Sequence, residues 1–172
     1  MNTQSVLVTY ATRYGSTQAA AEIVADTLRQ TGWQVDLQPM QEVKQPEHYA
    51  AIVLGAAIYN AKWHADAHEL LAKYEEVLSQ RPVAIFSLGP TTRNPAAKKR
   101  SLSQLAKDLD KYSWLKPVAL EMFVGKYDLS KMGLGRVGRL IPLGDQRDPN
   151  AVRAWANALS VQLQRAEMPQ VA

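Results

Sequence analysis

Short apolar runs alternate along the chain with stretches whose apolar residues recur every three or four positions. Residues 5–10, 50–55 and 82–87 are continuous apolar runs, as expected of strands covered on both faces. Trp33, Val35 and Leu37 alternate with polar residues, which predicts a more exposed strand ending before Pro39, and residues 117–123 supply a fifth strand. Between them, Ala20, Ile23, Val24, Thr27 and Leu28 form one helical stripe over 17–31, stopped by Gly32. Ala67, Leu70, Leu71, Tyr74 and Leu78 form a second stripe, and Leu102, Leu105, Ala106, Leu109 and Tyr112 a third. Asp148-Pro149 supplies an N-cap and first-turn proline for a last helix with Val152, Trp155, Ala156, Leu159 and Leu163 on one side.

This alternation predicts an α/β fold, because right-handed crossovers place helices over both faces of a parallel sheet. Five strands favour the order 2-1-3-4-5 over a six-stranded dinucleotide-binding sheet. In such sheets ligands sit at the carboxyl ends of the strands, so the loops after strands 1, 3, 4 and 5 are where chemistry is expected. At 172 residues the chain is expected to be a single domain spanning 1–172.

Composition removes several alternatives. There is no cysteine, which excludes disulfides, thiol nucleophiles and thiolate metal sites. The longest nearly apolar run, 49–61, contains a glycine and falls well short of the roughly 20 residues of a membrane span. No basic segment precedes the first apolar run, so a cytoplasmic protein is expected, at most peripheral to the inner face of a membrane. Charge adds something the total conceals. The net +4 divides into 12 Lys and Arg against 5 Asp and Glu in residues 89–147, and 8 against 11 elsewhere. One third of the chain carries the basic character, and no nucleic-acid-binding motif accompanies it.

The loop after strand 1, Thr12-Arg13-Tyr14-Gly15-Ser16-Thr17, runs into a helix and combines hydroxyls, a turn glycine and a helix N-terminus. That set suits either an anion or an ordinary capped βα turn. No lysine follows the glycine, so a Walker A site is not supported. After strand 3, residues 57–64 carry Tyr59 and Trp63; Tyr59 is the better candidate to face a flat ligand, and Trp63 to pack under the next helix. His64 and His68 have the i, i+4 spacing of a metal pair, but Ala65 stands where a metalloprotease motif has Glu, and capping or packing is expected of His64. The loop after strand 4, residues 88–95, contains the rigid turn Gly89-Pro90-Thr91-Thr92, whose free backbone amides and carbonyls at the sheet edge suit the hydrogen-bonding edge of a heterocycle and an unoccupied turn equally well. Gly133-Leu-Gly135-Arg-Val-Gly138 matches a dinucleotide fingerprint in letters only: no strand leads into it and Pro142 ends any helix after it. Lys126, Lys131, Arg136 and Arg139 surround it and are expected to meet a substrate or partner.

Together these loops resemble those of flavodoxin-like FMN proteins. Residues 10–17, Tyr-Ala-Thr-Arg-Tyr-Gly-Ser-Thr, are similar to the family's phosphate loop, with Thr12, Gly15 and Thr17 matching and Tyr14 replacing a threonine. Within the superfamily the chain is most similar to the group containing menaquinone-dependent protoporphyrinogen IX oxidase. That similarity rests on the first loop, on Gly55-Ala-Ala-Ile-Tyr with Lys62-Trp-His64, and on Gly144-Asp-Gln-Arg-Asp with Arg153-Ala-Trp-Ala156. The resemblance implies an FMN site formed by Thr12, Arg13, Tyr14, Gly15, Ser16 and Thr17, by Ile58, Tyr59, Asn60, Ala61 and Lys62, and by Leu88, Gly89, Pro90, Thr91, Thr92 and Arg93. It implies flavin redox chemistry without a protein acid, base or nucleophile. An oxidoreductase with an anionic or quinone-type substrate, a porphyrinogen among them, is expected, with a flavodoxin-type electron carrier as the alternative. Carriers of that kind are acidic around the flavin, whereas this chain places cations there.

Overall fold

The computed structural model describes residues 4–90, 92–125 and 147–167. Its elements run β1 (Ser5–Ala11), α1 (Ser16–Gln30), β2 (Gln34–Pro39), β3 (Ala51–Tyr59), β4 (Lys62–Trp63), α2 (Ala65–Lys73), α3 (Glu75–Leu78), β5 (Val83–Leu88), α4 (Pro95–Leu109), β6 (Ala119–Phe123) and α5 (Pro149–Glu167), with two short 3-10 turns between β2 and β3. The five main strands are parallel and lie in the order β2-β1-β3-β5-β6, which is the predicted 2-1-3-4-5 once β4 is set aside. The sheet differs from expectation in having this sixth strand, a two-residue segment antiparallel to the end of β3.

Alternate residues of the central strands feed two cores. Val6 and Val8 of β1 join Ala21, Val24 and Leu28 of α1 and Ala156, Leu159 and Leu163 of α5 on one face. Leu7 and Ala11 join Ala67 and Leu71 of α2, Leu105 of α4 and Met122 of β6 on the other. Full burial of each such Val or Leu contributes about 1.5–3 kcal/mol. β3 is buried from Ala51 to Ala57, and Gly55 is needed there because a Cβ would run into the Phe86 ring.

Three boundaries depart from the sequence pattern. β2 includes Pro39, paired opposite Tyr10, and the sheet tolerates it because β2 is an edge strand with one side free of ladder bonds. The stripe from Ala67 to Leu78 is two helices, since Tyr74 leaves helical geometry (φ −118°, ψ 26°) while its hydroxyl donates to the Val43 carbonyl at 2.7 Å. The third is the end of β3, which carries Ile58 and Tyr59 into what the sequence presents as loop. The stop after α1 follows the pattern. Gly32 (φ 100°) lets its N–H reach Arg29 O at 3.0 Å and the Trp33 N–H reach Leu28 O at 3.2 Å, with Trp33 and Leu28 in the same core. The Trp33 indole N–H then donates to Ser160 Oγ at 3.0 Å, tying the start of β2 to α5.

Candidate functional site

The carboxyl ends of β1, β3 and β5 lie side by side, and the predicted loops leave from them. After β1, Gly15 takes φ 87° and its N–H donates to Thr12 Oγ1 at 2.8 Å, folding the turn back on itself. Among the described residues no side chain caps α1. Its first-turn N–H groups thus point out of the helix end, where the dipole is positive, and a Cβ at Gly15 would meet nothing within 4 Å. Thr17 is buried in the helix, whereas Arg13 and Gly15 are exposed. The arrangement presents amides and open space to an anion.

After β3 the chain forms a hairpin rather than a loop. Asn60 (φ 47°) and Ala61 (φ 59°) are both left-handed, the geometry of a two-residue turn that matches strand twist, and Tyr59 pairs with Lys62 across it. Ala61 holds that conformation without glycine's freedom, at a backbone cost of about 1–2 kcal/mol. The hairpin base is anchored from three sides. Trp63 is buried, its backbone N–H donates to Asp108 Oδ2 at 2.8 Å, and its indole N–H to Ala56 O at 3.3 Å. Trp63 therefore packs as predicted. His64 caps α2 by accepting the Asp66 N–H at 3.2 Å, also as predicted. His68 stacks against Trp63 edge-on and has Nδ1 2.8 Å from the Tyr112 hydroxyl. Burial, and secondarily the Lys111 charge, hold His68 below its ordinary pKa, against a smaller opposing pull from Asp108. Among the described residues no group of three or more His, Asp or Glu is placed to hold a metal.

The turn after β5 corrects one expectation. Its backbone groups are not all free for a ligand, because Gly89 N–H donates to Phe123 O and Pro90 O accepts from Gly125 N–H, both at 3.0 Å. These bonds stitch the turn to the chain leaving β6. Gly89 has no room for a side chain, since a Cβ would run into the Met122 sulfur and lie 3.1 Å from Ser101 Cβ.

The loops from β1 and β3 meet at Tyr14 and Tyr59, whose rings lie edge to face with centroids 5.9 Å apart, while the Arg13 guanidinium sits 5.5 Å over Tyr14. The remaining predicted residues divide between two cavities. Ser16 and Leu88 line one of about 240 Å³, between α1, β6 and the start of α5, with Phe123, Val124 and Asp148. Ile58, Asn60, Ala61, Gly89 and Pro90 line another of about 340 Å³ between the hairpin and α4. The second also has Arg100, Ser101 and Gln104 in its wall, residues of α4 that lie outside the loops singled out in the sequence. The run Lys98-Lys99-Arg100 directly after the predicted loop is the signal that could have found them. Lys62, Thr92 and Arg93 are exposed and line neither cavity. Thr91, Lys126, Lys131, Arg136 and Arg139, and the motif at 133–138, lie outside the described residues.

A family model described as a flavodoxin domain matches residues 7–136. The chain is 30% identical over 91 residues to the protoporphyrinogen IX dehydrogenase [quinone] of Escherichia coli strain K12, a match covering 52% of this chain and 50% of that protein. It thus spans about half the length of that relative. Among solved structures, a flavodoxin variant from Pseudomonas aeruginosa superposes with TM-score 0.61 at 11% identity, covering 94% of this chain and 99% of the other. A variant of Fusobacterium nucleatum flavodoxin bound to flavin mononucleotide gives 0.56 at 14%, covering 95% and 97%. No helix among the described residues is long and apolar enough to cross a membrane.

Proposed function

Since the chain belongs to the flavodoxin-domain family, we propose that it binds FMN at the carboxyl edge of the sheet and acts as an FMN-dependent oxidoreductase on an anionic or quinone-linked substrate. The observation that carries this reading is the meeting of Tyr14 and Tyr59 beside the uncapped N-terminus of α1, with open space over Gly15. In this reading the turn of Thr12, Arg13, Tyr14, Gly15, Ser16 and Thr17 holds the phosphate through backbone N–H groups and hydroxyls. The hairpin from Ile58 to Lys62 and the turn from Leu88 to Arg93 flank the isoalloxazine ring, with Tyr59 against it. Bound FMN supplies hydride or electron transfer at N5. The chain's own residues bind and orient the ring, exclude water from one side of it, and set the local charge. The three loops contribute Arg13, Lys62 and Arg93 and no Asp or Glu, which favours extra negative charge on the ring and raises its tendency to accept electrons.

A porphyrinogen-type substrate with a quinone acceptor is supported by the relative in Escherichia coli and by the basic character of residues 89–147. The fold neighbours support a second reading, an electron carrier that hands electrons to a redox protein. The test has two stages. Purified protein, analysed by mass spectrometry and flavin titration, is expected to carry or take up FMN in near one-to-one amounts, and a protein that does neither is not a flavoprotein. Loaded protein is then assayed anaerobically with protoporphyrinogen and a quinone. Turnover supports the oxidoreductase, whereas no turnover together with rapid electron delivery to a redox protein supports the carrier.

A further inference from the structure

One edge of α4 is polar and faces the hairpin. At its lower end Asp108 is occupied, accepting the Trp63 N–H. One turn earlier stands Gln104, and one turn earlier again Ser101 with Arg100 beside it, about 12 Å up the axis from Asp108 at 1.5 Å per residue. These three line the cavity of about 340 Å³ opposite Asn60 and Pro90. None of their side chains makes a hydrogen bond or ion pair among the described residues. Two neighbouring charges are already engaged: Lys98 pairs with Glu121 at 2.7 Å, and Asp108 holds the hairpin. Arg100, exposed to solvent, is thus a cation without a carboxylate among the described residues, beside the neutral donors of the cavity wall.

One further feature shapes the cavity. Gly89 is glycine where a Cβ would run into the Met122 sulfur and lie 3.1 Å from Ser101 Cβ, which lets α4 approach the turn after β5.

We propose that this cavity recognises a carboxylate of the redox substrate, with the Arg100 guanidinium gripping it in bidentate fashion and Ser101 Oγ and the Gln104 amide completing its hydrogen bonds. A carboxylate fits better than a phosphate. The site offers one guanidinium and neutral side-chain donors, matching a single negative charge. The start of α4 and the turn after β5 add little for a dianion, because Asn94 caps α4 by accepting the Ala96 N–H at 2.9 Å and the Gly89 and Gly125 N–H groups are spent on Phe123 and Pro90. The volume suits a carboxylate-bearing arm, with the oxidisable part of the molecule reaching past the hairpin tip toward the adjoining loops. This inference rests on those loops binding FMN.

The test compares protoporphyrin IX, a dicarboxylic acid, with its dimethyl ester, each titrated into FMN-loaded wild-type protein and Arg100→Leu and followed by porphyrin fluorescence. The expected result is saturable binding of the diacid by wild type, about tenfold or more weaker for Arg100→Leu, with the ester bound weakly and equally by both. Arg100→Lys restores part of the affinity because it keeps the charge and loses the fork. FMN affinity is measured separately for all three proteins and each is loaded to saturation before titration, so that a change in the flavin site shows as a loss shared by diacid and ester. Equal diacid binding by wild type and Arg100→Leu, an equal loss for the ester, or no saturable binding by FMN-loaded wild type overturns the proposal while leaving the FMN reading intact. Failure of wild type to take up FMN removes that reading and this one with it.

Discussion

Thr9, in the middle of β1, is fully buried and its hydroxyl finds no hydrogen-bond partner among the described residues. A buried unpaired hydroxyl costs about 1–3 kcal/mol, and valine has nearly the same shape without it. Thr9→Val is therefore expected to stabilise the fold by about 1 kcal/mol, raising Tm by about 2–4 °C in a thermal melt, and an unchanged or lower Tm would mean the hydroxyl is satisfied. Tyr59 tests the candidate site at the same scale. Its replacement by Ala is expected to weaken FMN about two- to tenfold, the share an aromatic contact adds beyond burial, measured by flavin fluorescence titration. Unaltered affinity and potential would assign the stacking to another residue. The sequence drew attention to Tyr59 from its place after an apolar run. It gave Tyr14 no such role, because nothing in linear order indicates that two tyrosines from different loops meet ring to ring.

The hairpin shows where element-level reading stops. The apolar run of β3 was visible, but its continuation through Tyr59 depends on a turn with Asn60 and Ala61 both left-handed. Asn is an accepted residue for that geometry, whereas Ala gives no sign of it. The five main strands were legible because each is a short apolar run bounded by a helical stripe, and the end of α1 because Gly32 is the residue a left-handed stop requires. The polar wall of α4 was not, since it depends on which helix edge the hairpin lies against. The attachment between these elements has a pH dependence. His68 is held neutral by burial beside Trp63 and Tyr112, below its ordinary value of about 6.5. The unfolded chain binds that proton more readily, so the stability His68 contributes is fully present above pH 6.5 and is lost as pH falls through its lowered folded value. Urea midpoints taken from pH 7.5 downward are expected to fall more steeply for wild type than for His68→Phe. Parallel curves would place the acid sensitivity elsewhere.

At the scale of the whole molecule, charge is distributed unevenly, with a net of +7 in residues 89–147 and −3 in the remainder. If that region draws in a negative substrate or partner, Arg136→Glu with Arg139→Glu is expected to reduce kcat/KM, or partner binding, more at 20 mM salt than at 300 mM, where screening shortens the reach of charge. A salt-independent effect, or none, would exclude steering by these two residues. The division of the interior has a different kind of consequence. Successive side chains of β1 descend into opposite layers, Val6 and Val8 beneath α1 and α5, Leu7 and Ala11 beneath α2 and α4. The hairpin straddles that division: Ile58 and Trp63 belong to the α2 and α4 layer, whereas Tyr59 packs on the α1 and α5 layer and touches Tyr14. Repacking either layer therefore moves the hairpin. The grip on a ligand's charged end and the fit around its flat end shift together, so retuning this backbone for a new redox partner takes matched changes on both sides of the sheet.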